Sequence, residues 1–156
     1  MNPKQVVVDN LLTSYSRTGK GPVVLCLHGW GDDHVTFADL AQKLSGKYTV
    51  ISLDLPGFGK TQAPDKVWGL GDYATFVGAF MTKIKSPQAF ATIGHSNGGS
   101  LAIHGIAEGK IDSDRLVLLA AAGIRDRQKG KKIVLRTIAK TGKATTFFLP
   151  NSTKQK

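Results

Sequence analysis

The sequence predicts an α/β fold in which a mostly parallel sheet carries helices on both faces. Three observations predict it. Short continuous apolar runs, of the kind a strand buried on both faces shows, recur at 23–28, 48–53, 89–94 and 115–121. Segments with apolar residues at helical spacing alternate with them, the pattern of strand–helix–strand crossovers. Many of the eighteen glycines fall at the junctions between these segments, where positive φ or close backbone approach is needed. A chain of 156 residues is long enough to bury a core without disulfides or metals.

Val6–Val8 and Leu11–Tyr15 are β-leaning runs separated by Asp9-Asn10, the pattern of a hairpin. Gly19, Lys20, Gly21 and Pro22 break the chain before the apolar run Val23–His28. Phe37, Leu40, Ala41 and Leu44 stand at i, i+3, i+4 and i+7, one face of a helix that ends at Gly46, and Tyr48–Leu53 follows as a strand. After the turn-rich Asp54–Pro64, Asp72 is placed to cap a helix with Tyr73, Phe76, Val77, Phe80, Met81 and Ile84 on its inner face, stopped by Pro87. Ala89–Gly94 reads as a strand, Asn97–Glu108 as the helix leaving it with Gly109 as its stop, and Arg115–Ala121 as a fourth strand of the buried type. From Gly123 the composition shifts, which divides the chain into a core at 1–123 and a basic segment at 124–156.

The formal net charge of +10 belongs almost wholly to that second segment. Residues 1–124 balance eleven Lys or Arg against ten Asp or Glu, whereas residues 125–156 carry ten basic residues against Asp126 alone. The single cysteine, Cys26, cannot form an internal disulfide and sits in an apolar run, as a buried thiol does. The opening Met1-Asn2-Pro3-Lys4 has no basic patch and apolar stretch of a secretory signal, and no run approaches the length of a membrane span, so a soluble cytoplasmic protein is expected.

The chemistry concentrates at Gly94-His95-Ser96-Asn97-Gly98-Gly99, a G-x-S-x-G pentapeptide followed by one more glycine. Between a strand and a helix this spacing reads as a nucleophile elbow, a tight turn that exposes a serine hydroxyl and demands small neighbours. The other reading of the same residues is an elbow kept as architecture alone. Ser96 would stand at the C-terminal edge of a parallel strand, where open α/β sheets hold their ligands. The Asn97 N–H, at the start of the following helix, would face a developing oxyanion. The loop His28-Gly29-Trp30-Gly31 follows an earlier strand and offers the Trp30 N–H as the second donor. His28 itself is expected to make a structural hydrogen bond in that loop.

Three segments, Leu27-His28-Gly29-Trp30, Asp54-Leu55-Pro56-Gly57-Phe58-Gly59 and Gly94-His95-Ser96-Asn97-Gly98-Gly99, stand in an order and at spacings that resemble the α/β-hydrolase superfamily, in its lidded serine-esterase-like branch. The resemblance covers about Val6 to Gly123. It implies a Ser, acid, His triad whose acid and histidine follow two further strands. It also implies acyl transfer on an ester, thioester, amide or activated carbon–carbon bond, because relatives that open epoxides or displace halide carry aspartate at the elbow. No metal or organic cofactor is implied, and the substrate is expected to be a small acyl compound.

The rest of the triad is not found in the chain. Sixty residues follow Ser96, and after Ala121 the stretch Arg125–Pro150 resembles the start of a helical lid rather than further strands. His104, eight residues along the helix, is displaced by roughly 12 Å from the nucleophile, beyond the reach of a general base. His95 is expected to point away and pack beneath the turn, and His34 lies in the loop after Trp30. Asp126 follows the fourth strand, where some relatives carry the acid, but sits among arginines as a solvated partner would. Asp54 resembles a position that shapes the loop leading to Gly57 and Gly59, and Asp32 and Asp33 cap or solvate the first helical region. The chain is therefore read as C-terminally truncated. Its alternative reading is a catalytically silent fragment used for binding or completed by a second polypeptide.

Loss of the last strands would leave 115–121 as an apolar sheet edge, to be covered by a second polypeptide or by self-association. The basic segment is read as a partial lid. A membrane-surface helix over 125–149, with Ile133, Val134 and Ile138 opposite a cationic face, is its rival. Nucleic acid is disfavoured as a partner because no aromatic residue interleaves the charges before Phe147.

Overall fold

The computed structural model describes residues 3–122. They belong to one compact unit, Met1–Ala122. Asp126 and the lid and membrane-helix readings of 124–156 therefore lie outside the described residues.

In chain order the elements are β1 (Lys4–Val8), β2 (Leu11–Thr18), β3 (Val23–Leu27), a 3-10 turn (His34–Phe37), α1 (Ala38–Leu44), β4 (Thr49–Leu53), α2 (Leu70–Lys83), β5 (Gln88–Ala89), β6 (Ala91–His95), α3 (Asn97–Ala107), β7 (Asp112–Ser113) and β8 (Leu116–Leu119). Six strands form one sheet in the order β1-β2-β4-β3-β6-β8, and β5 pairs with β7 alone. The hairpin turns through Asp9 and Asn10, both at positive φ (45° and 64°), so Val8 pairs with Leu11. Two successive left-handed residues give the turn whose twist matches that of the flanking strands. β2 runs antiparallel to β4, whereas β4, β3, β6 and β8 are mutually parallel.

The continuous apolar runs divide by alternation into two cores. Leu25 and Leu27 of β3 and Ile51 and Leu53 of β4 face α2 and α3, where Phe76, Val77, Phe80, Met81 and Leu101 are buried against them. The alternate residues Val24, Cys26 and Val50, with Ala91 and Ile93 of β6, face Phe37 and Ala41 on the opposite side. Helices therefore cover both faces, as the sequence predicts, and period-2 alternation is hidden within a run because both faces are apolar.

Three local expectations are corrected. α2 begins at Leu70 with Gly69 as its N-cap, and Asp72 caps from the third helical position, its carboxylate accepting the Gly69 N–H at 2.8 Å. Its end is set by Lys85 at φ 57°, two residues before Pro87. β8 is not buried among the described residues: Leu116, Val117 and Leu119 are 37–43% exposed, because the strand pairs with β6 and ends the sheet order.

Candidate active site

Ser96 joins β6 to α3 with φ 50° and ψ −117°, a left-handed conformation that costs a non-glycine residue roughly 1–3 kcal/mol. Backbone hydrogen bonds hold it there, beside a longer one of 3.4 Å from Ser100 N to its carbonyl. Its N–H donates to Leu119 O at 3.0 Å, and its carbonyl accepts from Gly99 N at 3.0 Å and Ala122 N at 2.9 Å. The flanking glycines are required by contact. A Cβ on Gly98 would lie 2.2 Å from Leu27 O and 2.5 Å from His28 O, and one on Gly94 would lie 2.5 Å from Gly99 Cα. α3 thus starts directly against the end of β3, and the loop leaving β3 passes over the elbow.

That loop turns tightly. Asp32 N donates to Gly29 O at 3.3 Å, enclosing Trp30 and Gly31, and Gly31 takes φ 80° as the third turn residue. Among the described residues no acceptor is found for the N–H of Trp30 or of Asn97. The Trp30 side chain is 72% exposed and meets Phe58 edge-on at 4.9 Å, and Phe58 meets His28 at 5.8 Å. Phe58, named above only within the Asp54–Gly59 segment, is an aromatic contact of the site that the sequence did not assign to it. Its only sequence signal is an aromatic set between two glycines in the loop after a buried strand.

His28 is fully buried and structural. Its Nδ1–H donates to Gly29 O at 2.7 Å, and its Nε2 accepts the Leu55 N–H at 2.9 Å, which fixes the neutral tautomer. Burial lowers its pKa below the usual 6.5, against smaller opposing effects of the Gly29 carbonyl and of Asp54, Asp32 and Asp33. Asp54, also fully buried, ties two loops together: Oδ1 accepts from His34 N and His34 Nδ1 at 2.7 Å each, and Oδ2 accepts from Lys60 N at 3.0 Å. Gly59, at φ 54°, leaves room for that carboxylate, since a Cβ there would lie 2.5 Å from Asp54 Cγ.

The remaining histidines separate. His34 is engaged by Asp54 and does not serve Ser96. His104 faces α2, where a Cβ on Gly71 would lie 3.6 Å from its Nε2. His95 does not pack beneath the turn as expected. Its side chain is 37% exposed, with Nδ1 3.7 Å from Asp32 Oδ2, because β6 delivers it to the side on which the Gly29 loop lies. Asp33 caps the 3-10 turn through a 2.7 Å bond from Val35 N. Cys26 is buried, and burial pushes its thiol up to about 12.

Among the described residues no cluster of three or more His, Cys, Asp or Glu could hold a metal ion, and no helix is long and apolar enough to cross a membrane. A surface cavity of about 660 Å³ lies beside the hairpin, lined by residues such as Asn10, Gln62 and Trp68, and includes neither Ser96 nor Trp30.

The family model described as alpha/beta hydrolase fold matches residues 22–140. An uncharacterized protein of Mycobacterium tuberculosis (strain ATCC 25618 / H37Rv) is 31% identical over 106 residues, covering 68% of this chain and 31% of its own length. A pimeloyl-[acyl-carrier protein] methyl ester esterase of Aeromonas salmonicida (strain A449) is 35% identical over 89 residues, covering 57% of this chain and 34% of its own. The crystal structure of a membrane phospholipase A, a bacterial virulence factor, superposes with a TM-score of 0.75 at 31% identity, over 80% of this chain and 41% of that one. The chain thus spans about a third of the length of the curated relatives it matches. With the family model running through the elbow and a parallel sheet packed on both faces, this chain belongs to the alpha/beta hydrolase fold family.

Proposed function

We propose that the chain carries the nucleophile and oxyanion donors of a serine hydrolase that transfers the acyl group of an ester or related acyl compound to water through an acyl-enzyme. The observation that carries this reading is Ser96 itself, a non-glycine residue held at φ 50° between a buried strand and a helix N-terminus. Strain at such a position has a use when the side chain must stand clear of the sheet. Ser96 Oγ would attack the acyl carbon. The Asn97 N–H, at the positive end of α3, and the Trp30 N–H, in its tight turn, would take the charge that develops on the carbonyl oxygen. Among the described residues His28 and His34 are hydrogen-bonded elsewhere and His104 lies against α2, so none of them is the base that takes the Ser96 proton.

Reaction with a fluorophosphonate, followed by mass spectrometry, tests the reading. A single adduct on Ser96 that is absent from Ser96→Ala is expected, formed slowly because none of these histidines takes the Ser96 proton, which passes to solvent. A folded wild-type chain that forms no adduct on Ser96 would overturn it.

A further inference from the structure

We propose that Asp32 and His95 form a strap that ties the turn carrying the Trp30 N–H to the elbow carrying Ser96, which makes both of them positioning residues. The catalytic consequence rests on the serine-hydrolase reading, whereas the tether itself does not.

Asp32 is the last residue of the turn that encloses Trp30 and Gly31, and His95 is the last residue of β6, directly before Ser96. The two side chains come from separate loops and meet with Nδ1 3.7 Å from Oδ2. That is a few tenths of an ångström beyond hydrogen-bond range. The ring and the carboxylate are each partly open to solvent, at 37% and 44%. Yet the Nδ1 atom is shielded from solvent and has no hydrogen-bond partner among the described residues. A shielded polar atom without a partner is uncommon in folded chains, and Asp32 is the acceptor within reach once Nδ1 carries a proton.

Gly29 lies between the two groups. A Cβ there would be 3.2 Å from His95 Nδ1, 3.3 Å from Ser96 Cβ and 3.4 Å from Asp32 Oδ2, so the turn, the strap and the nucleophile share one tight space. Closing the pair pulls Asp32 toward the elbow. Because Asp32 N also closes the turn on Gly29 O, the same movement fixes the direction of the Trp30 N–H relative to Ser96.

Amide hydrogen exchange at Asp32, whose N–H closes the turn, is measured alongside the rate of Ser96 phosphonylation in the full chain, in Asp32→Ala, in His95→Ala and in the double variant. Each single variant is expected to speed exchange and slow phosphonylation by about tenfold, with the double variant no worse than either single, as for two groups acting through one contact. His95→Asn, which returns an N–H donor near the Nδ1 position, is expected to recover most of the loss and guards against a general effect of truncating the ring. Unchanged exchange in both single variants, or effects that add in the double variant, would overturn the strap. Faster exchange in a chain whose wild type forms no adduct would retain the strap and reject the serine-hydrolase reading.

Discussion

Replacing Gly98 with Ala tests how the elbow is built. The added methyl would lie 2.2 Å from Leu27 O and 2.5 Å from His28 O, where ordinary contact begins at 3.4 Å. α3 and the end of β3 must therefore part by about 1.2 Å, and close-packed interiors transmit such a shift rather than absorb it. The obstacles are backbone carbonyls, which cannot rotate aside, so the cost falls toward the upper end of the roughly 1–3 kcal/mol typical of overpacking. Alanine's helix propensity returns up to about 1 kcal/mol. The net expectation is a loss of about 2 kcal/mol, lowering Tm by roughly 6–12 °C for an ordered unit of this size. Urea unfolding followed by circular dichroism measures it. Gly46→Ala is the control, because nothing lies within 4 Å of a Cβ there and its φ is not left-handed, so it should be neutral or stabilising by roughly 0.4–1 kcal/mol. An unfolding midpoint for Gly98→Ala at or above that of the wild type would refute the packing argument.

Three further outcomes follow from the same geometry. The neutral His28 ring binds its proton less readily folded than unfolded, so its contribution to stability is present above the ordinary value of 6.5 and is lost as pH falls below it; urea midpoints should drop as pH falls through that value, and less so in His28→Ala. Cys26, buried and with its thiol pushed up to about 12, should resist iodoacetamide at mildly alkaline pH until the chain unfolds, and alkylation of the native chain at the free-cysteine rate would contradict its placement. Val117→Lys, on the exposed edge strand, should lower self-association in light scattering without shifting the unfolding midpoint by more than about 0.5 kcal/mol; unchanged scattering would show that the edge is not where copies meet.

Much of the fold was legible because apolar runs and glycine punctuation report burial directly. β3, β4 and β6 each overlap a predicted run, and the hairpin turn fell on Asp9-Asn10. β5 and β7, two residues each, carry no periodicity to read. The start of α2 was misplaced because an aspartate three residues into a helix can cap as well as one at its boundary. At the site, the elbow serine was legible from local spacing alone. The bond of His28 within its own loop was legible as well, but the remote partners of the histidines were not: His34 meets Asp54 across 20 residues and His28 meets Leu55 across 27. The run at 115–121 has the composition of a buried strand, and β8 is exposed because it ends the sheet among the described residues, the apolar edge expected where further strands are missing.

The backbone hydrogen bonds that hold Ser96 in its left-handed conformation have a thermodynamic consequence. Two of them involve Leu119, the last residue of β8, and Ala122 just beyond it, so the docking of that strand and the geometry of Ser96 are linked equilibria. Any contact that populates the docked state of β8 also populates the strained state of Ser96, and fraying of β8 lets the serine relax. On the serine-hydrolase reading, occupancy of an edge that touches no substrate would thereby set the fraction of molecules competent to react.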